Sequence, residues 1–396
     1  MLDIRPLEPA DHDAADRLDA LAFGATLEEV RSDPRVEQGR RRWGAFEDGR
    51  LLGAVTDLFH EQWWGGRVVQ ASGIASVAVE AERRGESIAT ALVQTAMQHA
   101  RERGAAIANL YGTSSAVYRS MGFEVGGTRR MAEISTASLR QRKPEGIRTC
   151  SGRGRDWPRI RDVYDEIARS SNGFLTRRGP LFFDPAGDEL PRGIDGLTIA
   201  EDDGGRVVGY ATWRRGKGYR ADAVLTVYDL LAVTQPGAAA LLNVMAGWDT
   251  VAPTTRLRLL PWLDAAALSL PLERAREESA EVWMHRPLDV VRAVESRGWP
   301  DGVQGSVAFT LVDRQLPWNS GGWRLQIADG VGHLERLADE PDQQLDVRGW
   351  SVLWCGAAKS AQLRQGGLLV GGDGQSDSRL DLLLGGGGRA GVLDYF

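Results

Sequence analysis

The stretch Ser76–Arg103, SVAVEAERRGESIATALVQTAMQHARER, carries the reading of the fold. It opens on a β-like run (Val77, Val79) and turns through Glu82-Arg83-Arg84-Gly85-Glu86-Ser87. An alanine-rich helix follows from about Ile88 to Arg103, with apolar residues at Ile88, Leu92 and Ala96 on one face. Gly104 stops it behind Arg101 and Arg103, cations suited to a last turn. A strand, a tight basic turn and a helix start make an anion site. Unpaired amides and the helix dipole converge there, and arginines add charge. Such a site suits a pyrophosphate.

The same stretch resembles the acyl-CoA-binding motif of the GNAT N-acetyltransferases, a strand followed by Arg/Gln-x-x-Gly-x-Gly/Ala. From Arg84 the chain reads Arg-Gly-Glu-Ser-Ile-Ala. Ala89 fits the last position, and Ser87 stands where the first glycine is usual. The resemblance implies that Val77, Ala78 and Val79 run along the pantetheine arm of acetyl-CoA. Arg83, Arg84, Gly85, Ser87 and Ile88 would hold the pyrophosphate.

Outward from this stretch the chain repeats itself. Toward the N-terminus come a strand at 2–6, an acidic helix near Asp11–Phe23 and a helix over Thr26–Gln38. Strands at 43–46 and 50–59 follow, then a two-glycine hairpin at Gly65-Gly66. Toward the C-terminus come a strand at 105–110, a short helix at 115–121 and a last strand from Phe123. Asp48–Thr56 (DGRLLGAVT) then recurs as Gly204–Thr212 (GGRVVGYAT), and 224–233 with 237–248 match the motif strand and helix. In this copy the connection Asp229–Gly237 is shorter and has no arginine, so the phosphate chemistry is expected to be lost.

The expected fold is therefore α/β (α+β). It comprises a catalytic GNAT domain (1–146), a degenerate GNAT-like domain (147–285) and an α+β domain (286–396). In the last part, strands are expected at 305–312, 323–327, 332–337 and 344–347, with helices at 351–364 and 376–384. Gly385–Gly388 reads as a flexible hinge before a tail ending in Asp394-Tyr395-Phe396.

Composition narrows the function classes. The formal charge is −6, from 48 basic and 54 acidic residues interspersed, so no nucleic-acid stripe is present. Cys150 and Cys355, far apart, make no disulfide framework and suit a reducing cytosol. No apolar run approaches the ~18 residues of a membrane span, and the acidic start MLDIRPLEPADHD is unlike a signal peptide. The five histidines lack metal-ligand spacing. A cytoplasmic protein without membrane, nucleic-acid or metal partner is expected.

Three features together resemble the Eis (enhanced intracellular survival) family of aminoglycoside and lysine N-acetyltransferases. They are the double GNAT layout; the segments Val282–Asp289, Arg297-Gly298-Trp299 and Val352–Gly356 leading through a sterol-carrier-like third domain; and Tyr118-Arg119-Ser120-Met121-Gly122-Phe123 with a terminal Phe396. The resemblance implies acetyl transfer to a primary amine of a small molecule or peptide, in a homo-oligomer, typically a hexamer. It makes Tyr118 the general acid and the carboxylate of Phe396 the general base, and sets Thr113 near the CoA sulfur. Val79 is the strand N–H best suited to the oxyanion. Phe23, Trp43, Trp63 and Asp394 are candidates to line the acceptor pocket, and the acidic helix residues are read as a solvated face. The alternative is a non-catalytic scaffold holding an apolar ligand in the third domain. A cleft between splayed strands beside Arg84 would favour the enzyme.

Overall fold

The computed structural model describes residues 2–31, 37–182, 187–219, 221–260 and 264–396. The first copy runs β1 (Asp3–Pro6), α1 (His12–Phe23), α2 (Leu27–Arg31), β2 (Arg40–Glu47), β3 (Arg50–Trp64), β4 (Arg67–Val79), α3 (Ile88–Glu102), β5 (Ile107–Tyr111), α4 (Ser115–Ser120) and β6 (Glu124–Ser135). Residues 32–36 of the helix expected over Thr26–Gln38 lie outside the described residues. The second copy runs β7 (Ile147–Gly152), α5 (Trp157–Arg169), β8 (Gly196–Asp202), β9 (Val207–Arg214), β10 (Val224–Ala232), α6 (Gln235–Ala246), β11 (Thr254–Leu259) and β12 (Arg276–Pro287).

The two copies share one twelve-stranded sheet, ordered β1-β2-β3-β4-β5-β12-β6-β11-β10-β9-β8-β7. Five strands of each copy flank a centre where the last strands have changed places. β12 pairs with β5 and β6, and β6 pairs with β11. Both copies carry one parallel pair with a helical crossover, β4–β5 over α3 and β10–β11 over α6. The sequence repeat is thus a structural repeat, but the exchange was not legible: strands that pair with either copy look alike in one dimension.

α3 buries Ile88, Leu92, Val93, Ala96, Met97 and Ala100, the face its spacing implied. It packs on the sheet with Trp43, Leu52 and Val55, while α1 sets Leu18 against Ala54 and Ala78 in a separate cluster.

The third part adds α7 (Val290–Ser296), β13 (Gly305–Val312), β14 (Gly321–Ala328), β15 (Val331–Arg336), β16 (Gln344–Asp346), α8 (Val347–Trp354), α9 (Ser360–Gln365), β17 (Leu369–Val370) and α10 (Gly374–Leu383). Its strands form a second sheet, β15-β14-β13-β16-β17. The single helix expected over 351–364 is two, divided at Gly356 with φ 59°. The core of this part is continuous with that of the large sheet, Trp350 and Trp354 packing with Trp64 and Trp283. A fully buried ion pair, Arg286–Asp313 at 2.6 Å, crosses the same junction.

Gly385–Gly388 is not a flexible hinge. A Cβ at Gly386 would strike the Leu382 carbonyl, and one at Gly387 the Arg297 guanidinium. The run is glycine because the chain packs tightly there.

Candidate active site

β4 parts from its parallel neighbour. Pairing with β5 covers only Ala71–Gly73 against Ile107–Asn109, although β4 continues to Val79 and β5 to Tyr111. On the other edge β4 stays with β3, with one extra residue between Ala75 and Ala78. Ser76 takes φ 49° at this bulge. The Glu80 amide donates to the Leu52 carbonyl at 2.9 Å, so strand alternation turns the Val79 amide and carbonyl toward the gap. The Arg84 Nε, 3.4 Å from that carbonyl, confirms the direction.

At the end of β4 lies the turn expected to bind an anion. Ser87 is the N-cap of α3 at φ 62°, with no side-chain cap bond. Among the described residues the backbone amides of 85–90 make no backbone hydrogen bond in this turn. Gly85 has φ 87°, and nothing lies within 4 Å of where its Cβ would be, so a ligand can approach. The two arginines differ. Arg83 is clamped by Glu47 at 2.7 Å and Glu86 at 2.8 Å, which pushes its pKa up. Arg84 is exposed and makes no ion pair among the described residues.

The C-terminal tail ends where β4 and β5 separate. The Ala390 amide donates to the Cys355 carbonyl, and that of Gly391 to Asn172. Arg177 donates to the Asp394 carboxylate at 2.9 Å, and the Tyr111 hydroxyl to the Asp394 carbonyl at 2.6 Å. The Phe396 ring meets His60 edge-on at 4.8 Å and lies 5.2 Å from Tyr111. Beneath it Gly73 is required: a Cβ there would come within 3.0 Å of the ring. A cavity of about 650 Å³ opens beside the tail, lined by Asp16, Asp19, Phe23, Arg42, Ser76 and Phe396 among others.

Phe23 and Phe396 share this cavity. Trp43 and Trp63 do not line it. Trp43 stacks on His99 at 4.3 Å on the α3 side of the sheet. Trp63 is buried against Ile160, Phe174 and Leu393, under Arg169. Asp394 anchors the tail through Arg177. Tyr118 is buried next to Phe123 and Gly112, and its hydroxyl bonds no described residue. Burial raises its pKa, which keeps the phenol protonated. Thr113 is exposed just before α4.

Asp16 and Asp19 are not a solvated face. Both bond Arg42, at 2.8 and 3.2 Å, and line the cavity. His12, Asp16, Asp19 and Phe23, at helical intervals, are one stripe of α1 and all line it; this spacing was the available signal. Nothing comparable marked Arg177 or Tyr111, whose roles depend on a tail distant in sequence.

Residues 3–126 match the acetyltransferase (GNAT) domain family, and residues 290–390 the sterol carrier protein domain family. The chain is an acetyltransferase with a GNAT domain over residues 3–126. It is 27% identical over 357 residues to an uncharacterized N-acetyltransferase of Streptomyces coelicolor, covering 86% of this chain and 85% of that one. A crystal structure of a GCN5-related N-acetyltransferase from Kribbella flavida superposes with TM-score 0.88 at 28% identity, over 100% of this chain and 98% of the other. Eis1 from Mycobacterium abscessus shares the fold, with TM-score 0.77 at 20% identity and full coverage of both chains. Among the described residues no helix is long and apolar enough to cross a membrane.

In this acetyltransferase the helix start with open amides occurs once. In the second copy the Thr234 hydroxyl caps α6 by accepting from the Gly237 amide, and Pro236 removes another donor. Its strands also part, pairing only at Val224–Val227 with Thr254–Leu257, but Leu393, Leu270 and Ala267 pack into the opening.

Proposed function

We propose that this acetyltransferase moves an acetyl group from acetyl-CoA to a primary amine by direct attack on the thioester, as the Eis family does. The observation that carries the proposal is the position of Phe396 where β4 and β5 separate, beside a cavity open to an acceptor.

Arg84 and the amides around Gly85, Ser87 and Ile88 fit a pyrophosphate. Arg83 contributes only by loosening its hold on Glu47 or Glu86. Val77 and Val79 offer backbone groups to the pantetheine arm, while the Ala78 side chain is buried on the α1 side. The Val79 amide stabilises the oxyanion. The Phe396 carboxylate takes the amine proton. Its reference pKa near ~3.5 makes it a weak base against an ammonium near ~10, so turnover requires that an acceptor filling the cavity remove it from water and raise it. Tyr118 returns a proton to the departing thiolate; from a phenol at or above ~10 to a thiol near ~8.5 this is uphill by about 2 kcal/mol or more, within reach of a placed donor. The hexameric assembly typical of Eis proteins belongs to the same proposal, and light scattering tests it.

The experiment is calorimetric titration with acetyl-CoA of the wild type, Arg84→Ala and a chain lacking Phe396. Arg84→Ala is expected to weaken binding about tenfold or more. Loss of Phe396 should leave binding and fold intact and abolish turnover. Full turnover without Phe396 removes it as the base, and no binding by the wild type removes the cofactor assignment.

A further inference from the structure

The charges of the cavity select among amines. Resting on the proposed function, we infer that the acceptor is a compact amine with one ammonium on an aromatic or aliphatic body, not a polyamine or polyaminated sugar.

A polycation needs one accessible anion for each ammonium it brings out of water. The carboxylates here are already engaged. Asp16 faces Arg42 at 2.8 Å and Arg31 at 3.7 Å, and Asp19 faces Arg42 at 3.2 Å. The Arg42 side chain is only 8% exposed, so solvent cannot readily replace either partner. Glu29 accepts from the Thr26 amide at 2.8 Å and hydroxyl at 2.9 Å. Against these stand Arg31, Arg40, Arg42 and Arg192 in the same wall. With the terminal carboxylate of Phe396 the described lining carries as many carboxylates as arginines. That carboxylate makes no ion pair among the described residues, so one anion awaits one ammonium. Phe23 and Tyr395, 52% and 60% exposed, offer ring surface to the rest of the substrate.

The test compares kcat/KM of the full chain at saturating acetyl-CoA for 2-phenylethylamine and tyramine against spermidine and kanamycin. The monoamines are expected to lead by about tenfold or more, since each extra ammonium meets arginines rather than free carboxylates. Equal or better use of the polycations overturns the inference while leaving acetyl transfer intact. Arg42→Gln uncovers Asp16 and Asp19 and should move the ratio toward spermidine; Arg31→Gln, half exposed and safer for folding, should move it the same way by less. A ratio unmoved in a folded variant also overturns it. Bound acetyl-CoA with none of the amines acetylated instead overturns the proposed function, and the inference with it.

Discussion

Ser87 holds a left-handed backbone at φ 62° where the acyl-CoA motif has glycine. A side chain there costs about 1 kcal/mol, and a β-branched one more. Ser87→Gly should keep acetyl-CoA binding and leave stability within about 1 kcal/mol, relief of strain offsetting glycine's greater chain entropy. Ser87→Val should lose both, by calorimetry and thermal unfolding; a valine variant as good as serine would mean that the turn does not need this conformation. His60 and His285 test another residue-scale property. Burial holds both neutral, with pKa pushed down to about 3. Unfolded, each titrates near ~6.5, so between these values the unfolded chain binds more protons. Their stabilisation is whole above ~6.5 and is lost as pH falls toward 3, about 2 kcal/mol each by pH 5. Denaturant titrations at pH 7 and 5 should show the loss, and His285→Gln should shrink it; an unchanged slope would mean that His285 is hydrated. The local turn around Ser87 was legible in sequence, because turn and helix period lie within a few residues. Trp43 was not, since nothing along a strand tells which of its two faces meets the ligand.

Among the elements, α3 and α6 are the same helix used twice. One leaves its first amides open behind Ser87; the other closes them with Thr234 and Pro236. The missing arginines foretold that difference. The tail was legible only at its last residue. Its anchorage depends on Arg177, which bonds Asp394 and Asp229 together. Asp394→Asn should loosen Phe396 and lower kcat by about tenfold while the acetyl-CoA affinity stays fixed. A parallel fall in affinity would show that the tail supports the donor site instead. Gly387→Ala, harmless in a flexible hinge, should cost about 1–3 kcal/mol because its methyl meets the Arg297 guanidinium.

At the scale of the molecule, the exchanged β6 and β12 leave no seam between the copies, and Arg286–Asp313 fastens the sterol-carrier-like part to them. Arg286→Ala strands a buried carboxylate and should cost about 3–5 kcal/mol. Denaturation followed by tryptophan fluorescence and by loss of acetyl-CoA binding should give one shared transition; two separated transitions would show that the parts melt independently. Domain order was readable from the repeat and the terminal motifs, whereas a sheet running through both copies was not.

The duplicated opening gives the tail a second meaning. Leu393 packs into the parted strands of one copy, and three residues later Phe396 lies where the strands of the other part. A single peptide thus joins two related grooves, lodged in one by Leu393 and reaching the other with Phe396. The groove without the motif's arginines is not empty: it takes the chain's own end as its guest.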